Sequence, residues 1–291
     1  MRLLSPRELA EALGVSESSL KRWVDAGKIT ATRTEGGHRK ISLPEAVRFI
    51  RETGAPVAHP ELLDMPEVAV AQQRAASGND RLLHYLLEGD MVGARGWLLA
   101  RYLAGSTIAS LCDGPVRDAM HALGELWQHD EGGIFIEHRG TDVCIQALAH
   151  LRSSFDPPAN APLAIGATPE DDPYIIPTFM AATVVAASGM RAVNLGPDTP
   201  LVALQAAYAH HHPRLVWISA SAPMLPDQAR ALAGWLASLP SSTVSVIGGR
   251  ACDSLLAFTP TLRHAGTMSD LASIASDLAR PSLRPAGAGV R

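Results

Sequence analysis

Between Leu4 and Ile50 the apolar positions fall at helical spacing twice, then alternate, then return to helical spacing: LSPRELAEALGVSESSLKRWVDAGKITATRTEGGHRKISLPEAVRFI. The first helix opens at Ser5, with Pro6 at its first position and Glu8 three residues on, a capping-box start. Leu9, Leu13 and Val15 form its apolar face, and Gly14 ends it. A second helix opens at Ser16, whose hydroxyl can cap the free amides, and runs to about Ala26 before Gly27. Leu20, Trp23 and Val24 share one face and are expected in the core. Lys28 to Ile41 reads as a two-stranded wing, ITATRT and HRKI around Glu35-Gly36-Gly37. A third helix is expected from Ser42 or Leu43 to about Thr53.

Residues 54–66 (GAPVAHPELLDMP) hold three prolines and a glycine and read as a linker. From 67 to 156 the pattern is helical, in RLLHYLLEGD, ARGWLLARYLAG, GPVRDAMHALGELWQ and IFIEHRGTDVCIQALAHL. With breaks at Gly89, Asp113-Gly114 and Gly132-Gly133, it predicts a four-helix bundle. From 162 to 280 short apolar runs (LAIGAT, RAVNLG, LVWISAS, VSVIGG) alternate with helical stretches, the mark of a parallel sheet covered on both faces. Ligands of such sheets sit at the carboxyl ends of the strands. Those ends carry the loops Thr168–Pro177, Gly196–Pro200, Ser219–Met224 and Gly248–Cys252. Residues 281–291 read as a disordered tail. The fold class is multidomain α and α/β: a winged helix-turn-helix over 1–53, a four-helix bundle and a flavodoxin-like doubly wound sheet.

The composition of the first module suggests its chemistry. Ser16, Ser18, Ser19, Lys21 and Arg22 lie off the apolar face of the second helix. Arg33, Gly37, His38, Arg39 and Lys40 surround the wing turn. Short hydroxyls for base edges and cations for phosphates are what a DNA recognition surface uses. The net charge of −4 conceals an asymmetry: residues 1–53 hold ten Lys/Arg against seven Asp/Glu, whereas the remainder holds fifteen against twenty-two. A modestly positive module on an acidic body suits an operator binder. Cys112, Cys144 and Cys252 are widely spaced, which argues against a disulfide framework or zinc site and for a reducing cytoplasm. No apolar run has the length of a membrane span or a signal-peptide core. His210-His211-His212 looks like a metal tract, but it ends a helix before Pro213, where the helix dipole favours histidine.

The segment RWVDAGKITATRTEGGHRKISLPEAVRFI resembles the MerR-type DNA-binding domain of bacterial regulators. That resemblance implies dimers on near-palindromic double-stranded operators, with the second helix in the major groove. The order of MerR-type module, bundle and doubly wound domain resembles the cobalamin-dependent photoreceptor repressors of the CarH/LitR type, over nearly the whole chain. Trp127 and Glu137-His138 match that family's W-x9-E-H bundle signature, which caps the adenosyl face of the cofactor. LGPDTP at 195–200 resembles the loop after the second strand. Ser219-Ala220-Ser221, with its two serines Ser219 and Ser221, and Gly248-Gly249 stand where the family admits the cofactor's nucleotide tail.

The family's D/E-x-H-x-x-G loop, whose imidazole ligates cobalt, does not match. Here it reads Asp172-Pro173-Tyr174-Ile175-Ile176-Pro177, with Tyr174 for histidine and Pro177 for glycine. A phenol of pKa about 10 is a poor cobalt ligand. The neighbour of the bundle tryptophan, a histidine in light-sensing relatives, is Gln128, and His129 is rotated about 100° away on a helix. The leading expectation is therefore a transcriptional regulator, a repressor, without bound cofactor. It would work as a homo-oligomer, dimer or tetramer, and be controlled by another ligand or by a partner protein such as an antirepressor or photoreceptor. The second reading keeps adenosylcobalamin and light-driven disassembly. The third is a cobalamin-type enzyme, for which no catalytic constellation is present.

Overall fold

The computed structural model describes residues 3–73, 80–126, 131–155 and 157–280. The expected tail and Trp127, with Gln128 and His129, lie outside them. The chain divides into two compact units, Met1–Asp156 and Pro157–Arg291.

The first unit begins with β1 (Leu3–Leu4), α1 (Pro6–Ala12), α2 (Glu17–Asp25), β2 (Thr32–Arg33), β3 (Arg39–Ser42) and α3 (Leu43–Thr53). The Ser5–Glu8 capping box is present, and Ser16 and Ser42 cap α2 and α3. The wing strands pair antiparallel, Thr32 with Lys40 and Arg33 with Arg39. β1, which the sequence pattern does not announce, adds to the far side of β3. Leu4, Leu9, Leu13, Leu20, Ile29, Ile41, Phe49 and Ile50 close the core. Trp23 and Val24 are half-buried rather than in that core. Trp23 instead lays its ring 5.1 Å from that of Phe49 on α3.

The expected linker is packed. Ala58 and His59 donate their amides to Ala12 O, a 3-10 turn spans Pro60–Leu63, and Leu63 and Met65 are buried. It leads into α4 (Pro66–Gln73), α5 (Asp80–Glu88), α6 (Met91–Leu103), α7 (Ile108–Leu111), α8 (Arg117–Leu126) and α9 (Glu131–Arg152). Two expected breaks are not breaks. Asp113-Gly114 lies in a π-turn, Cys112–Val116, that joins α7 to α8, and this wider turn accommodates Pro115, which lacks an amide. Gly132-Gly133 falls inside α9, where Gly133 is buried.

The second unit alternates β4 (Leu163–Ala167), α10 (Ile175–Ala187), β5 (Arg191–Asn194), α11 (Leu201–His211), β6 (Leu215–Ser219), α12 (Pro226–Ser238), β7 (Val244–Gly248), α13 (Asp253–Leu256), β8 (Arg263–His264) and α14 (Met268–Ala279). The strands are parallel in the order β5-β4-β6-β7-β8. This is the flavodoxin-like order, with its switch point between β4 and β6. Ile165, Val216, Ile218 and Ile247 pack beneath Leu232 and Leu236 of α12. Among the described residues no helix is long and apolar enough to cross a membrane, and no cluster of His, Cys, Asp and Glu could hold a metal.

Candidate DNA-contact surface and strand-end cleft

The N-terminal half of α2 presents a chain of hydroxyls. Ser16 Oγ accepts the Ser19 amide at 3.2 Å and lies 2.9 Å from both Ser18 Oγ and Ser19 Oγ. Arg22 donates to Ser19 Oγ at 3.2 Å. Lys21 pairs with Glu17 at 2.8 Å, and both are exposed, so water and phosphate compete easily for the ammonium. On the wing, Gly37 takes φ +74° in the turn, and Thr34 ties it by accepting the His38 amide on Oγ1 and the Gly37 amide on its carbonyl. Arg33 and His38 are exposed, and Lys40 is half-buried. Arg39 is half-buried and reaches back to Asp25, the last residue of α2, at 2.6 Å. It therefore fixes the wing against the helix.

A second tie lies behind the wing. Glu45 accepts the Thr30 amide at 2.6 Å and Arg48 Nε at 2.8 Å, and Arg48 also donates to Lys28 O at 2.9 Å. The Arg48 guanidinium, with help from the Thr30 amide and against the cost of burial, holds the Glu45 carboxyl below the usual carboxylate range.

At the other end of the first unit, Glu137 accepts the Thr141 hydroxyl at 2.9 Å, with His138 Nε2 at 3.5 Å from its second oxygen. His138 is exposed, and so are Ile134 and Phe135 one turn earlier. Cys112 and Cys144 are buried free thiols. Burial pushes Cys144 up to about 12 and Cys112 well above the usual thiol value, so both are packing groups rather than nucleophiles.

In the second unit, the loops at the carboxyl ends of the strands converge on Asp172, which is 1% exposed. Its carboxylate accepts the Tyr174 amide at 3.1 Å, the Ser221 amide at 2.5 Å and the Ala222 amide at 3.0 Å. Its own carbonyl accepts the Thr168 hydroxyl at 2.7 Å and the Asp198 amide at 2.9 Å. Asp172 thus bridges the loops after β4 and β6 at the switch point. Next to it, Asp171 Oδ2 accepts Gln228 of α12 at 2.8 Å, and the Asp171 amide donates to Asp198 at 2.8 Å.

Tyr174 is the residue before α10 and is 47% exposed. The Arg250 guanidinium lies over its ring, 4.7 Å from the centroid, while Arg250 Nε donates to Ser221 O at 2.7 Å. Ser219 and Ser221 are buried. Gly248 and Gly249 do not hold a gap open beside them. Gly249, at φ +96°, brings its Cα so close to Ala220 that an added Cβ would meet Ala220 O at 2.2 Å. The Ala251 amide closes the same contact on Ala220 O at 3.0 Å. Pro177 is not in a loop. It occupies the third position of α10, in the first helical turn, where a missing amide leaves no intrahelical bond unmade. Deeper in, Trp217 Nε1 donates to Thr178 at 3.1 Å, which donates to Asn194 at 2.8 Å. Sequence reading placed Asp171 and Arg250 only within strand-end loops, without singling them out, and missed Gln228. No local pattern marks them, because each acts across loops distant in the chain.

Residues 5–41 match the MerR family regulatory protein, and residues 79–152 match the B12 binding domain. The HTH-type transcriptional repressor CarA of Myxococcus xanthus is 23% identical over 236 residues, covering 76% of this chain and 78% of that protein. The monomethylamine corrinoid protein of Methanosarcina barkeri shares the fold, with a TM-score of 0.53 and 19% identity over 68% of this chain and 97% of its own. The chain therefore joins a MerR-type helix-turn-helix module to a B12 binding domain and a parallel α/β unit of the kind found in cobalamin-binding proteins.

Proposed function

We propose that this protein is a DNA-binding transcriptional repressor whose α/β unit works without cobalamin. The DNA half of the reading rests on the MerR-type module and on the exposed cationic and hydroxyl surface of α2 and the wing. Ser18, Ser19, Lys21 and Arg22 read the major groove, while Arg33, His38 and Lys40 meet phosphate. Arg39 positions the wing through Asp25. The likeness to a repressor supports the sign of the regulation.

The cofactor half rests on one observation above others. The Asp172 carboxylate, the acidic residue of the loop that would hold cobalt's lower ligand, already accepts three backbone amides, two of them on Oδ2. The residue at the ligand position is a phenol covered by a guanidinium. The loops that would pass a nucleotide tail are hydrogen-bonded to each other. As a cradle for cobalamin the cleft is a poor match. Control then comes from another ligand or from a partner protein, on a chain that acts as a homo-oligomer.

The test of the DNA half is selection of duplexes from a random library by the purified full-length protein. An enriched, near-palindromic site bound at least about a thousandfold tighter than random duplex is the expected result. Binding with no sequence preference would overturn it.

A further inference from the structure

The chain leaves α2 at Asp25 and enters the wing at Thr32, so the residues between them decide where the wing stands beside the helix. Ile29 is buried in the core, while Lys28 and Thr30 on either side of it are exposed. Side chains of α3 hold both of those neighbours by their backbones. Glu45 Oε1 accepts the Thr30 amide at 2.6 Å, and Arg48 donates to the Lys28 carbonyl at 2.9 Å. The two side chains also grip each other at two points. Arg48 Nε donates to Glu45 Oε2 at 2.8 Å, and Arg48 Nη2 donates to Glu45 Oε1 at 2.5 Å. Such a forked pairing fixes orientation as well as distance.

The other end of the wing is fixed by the chain itself, because β3 runs into α3 at Ser42, which accepts the Glu45 amide at 3.4 Å. The entrance to the wing therefore hangs on one carboxylate and its guanidinium. The Glu45 side chain is 14% exposed and negatively charged, so it repels phosphate rather than binding it. Glu52 makes the useful contrast. It takes the other side of the same guanidinium, is 59% exposed, and among the described residues makes no hydrogen bond to residues 28–30.

We propose that Glu45 is the positioning residue of the wing: by holding the Thr30 amide, and through Arg48 the Lys28 carbonyl, it sets where Arg33, His38 and Lys40 meet phosphate. The effect on DNA rests on the proposed function, whereas the tie between Glu45 and the wing entrance does not. The proposal reverses the sign that charge alone dictates. Neutralising a carboxylate near a duplex should tighten binding by about twofold, yet neutralising this one weakens it.

The test compares Glu45→Ala, Glu45→Gln and Glu52→Gln with the native full-length chain on a selected duplex, in the cold, where circular dichroism shows each to be folded. Glu45→Ala is expected to bind at least about tenfold weaker, with the slope of log affinity against log salt lowered by about 2 as wing cations leave phosphate. Glu45→Gln keeps an acceptor for the Thr30 amide and is expected to bind about threefold weaker. It carries the comparison where the alanine variant does not fold. Glu52→Gln, with the same change of charge, is expected to bind as tightly as the native chain or slightly tighter. Binding by Glu45→Gln as tight as by Glu52→Gln overturns the proposal. Hydroxyl-radical footprints of the Glu45 variants should lose protection at the flanks met by the wing and keep it at the centre met by α2. Uniform loss over the whole site would mean a general weakening of the module and also overturns it. If the native chain selects no duplex, the DNA reading fails, and the tie is read without DNA by amide exchange over residues 28–40. Glu45→Ala or Glu45→Gln should quicken that exchange and Glu52→Gln should not; equal exchange in the Glu45 and Glu52 variants removes the tie.

Discussion

Asp172 and Ser221 are 49 residues apart in the chain, yet the Ser221 amide donates to the Asp172 carboxylate at 2.5 Å with both residues buried. That bond crosses the switch point of the sheet, where a doubly wound fold ordinarily receives its ligand. Asp172 Oδ2 accepts both the Ser221 and the Ala222 amides, and its Oδ1 accepts the Tyr174 amide. The loops after β4 and β6 are consequently tied to each other.

Asp172→Ala should destabilise the α/β unit by about 3 kcal/mol, because it strands three amides, two of them at a buried junction. Asp172→Asn, which keeps one or two acceptors, should lose less. Urea unfolding followed by Trp217 and Trp235 fluorescence measures both. Equal stability of the native chain and the alanine variant would show that the junction contributes nothing.

The wing and α2 should respond differently to loss of charge. Arg22→Ala should weaken binding to every duplex and lower the slope of log affinity against log salt by about 1. Arg39→Ala should weaken binding as well but change that slope less, since Asp25 already compensates part of its charge. Salt titrations of both variants on a selected duplex test this. A full unit of slope lost in Arg39→Ala would make it a direct phosphate contact.

Much of this could be read locally, and the parts that could not share one cause. Ser5, Ser16 and Ser42 act on amides within three residues, so their caps are visible as short patterns, and the helices they open begin where expected. The four strands with long apolar runs are equally plain. β8, two exposed residues held by β7, is not. Gly132-Gly133 looks like a break by intrinsic propensity, but burial of Gly133 in α9 outweighs its backbone entropy cost. The substitution at Tyr174 is legible. Its consequence is not, because Arg250 lies 76 positions away and meets it only through the sheet topology.

Acid should loosen the DNA-contact module through Glu45. Its carboxyl is held below the ordinary value of 4.5, chiefly by Arg48, so its contribution to stability is complete above about that pH and is lost as the pH falls through the lower folded value. Melting temperature should fall from pH 5 towards pH 3, and Glu45→Gln should flatten part of that fall. A variant with an unchanged acid profile would remove Glu45 from the account.

Restoring the imidazole alone should not restore a cobalamin site. Tyr174→His leaves Arg250 tied to Ser221 and lying over position 174, whereas Tyr174→His with Arg250→Ala frees the side chain. Pro177→Gly should add little except a weaker first turn to α10. Hydroxocobalamin titrations, read by absorbance, should show binding by the double variant about tenfold or more tighter than by Tyr174→His. Equal affinities would show that Arg250 is no barrier.

The most direct test of a cobalamin-independent repressor is a single sample of the native full-length protein. It is incubated in the dark with excess adenosylcobalamin, desalted, and assayed by visible absorbance and duplex affinity before and after illumination. A colourless protein whose duplex affinity is the same with and without cobalamin, and in dark and light, is the predicted result. A retained red spectrum that changes on illumination, together with a change in duplex affinity, would contradict the account.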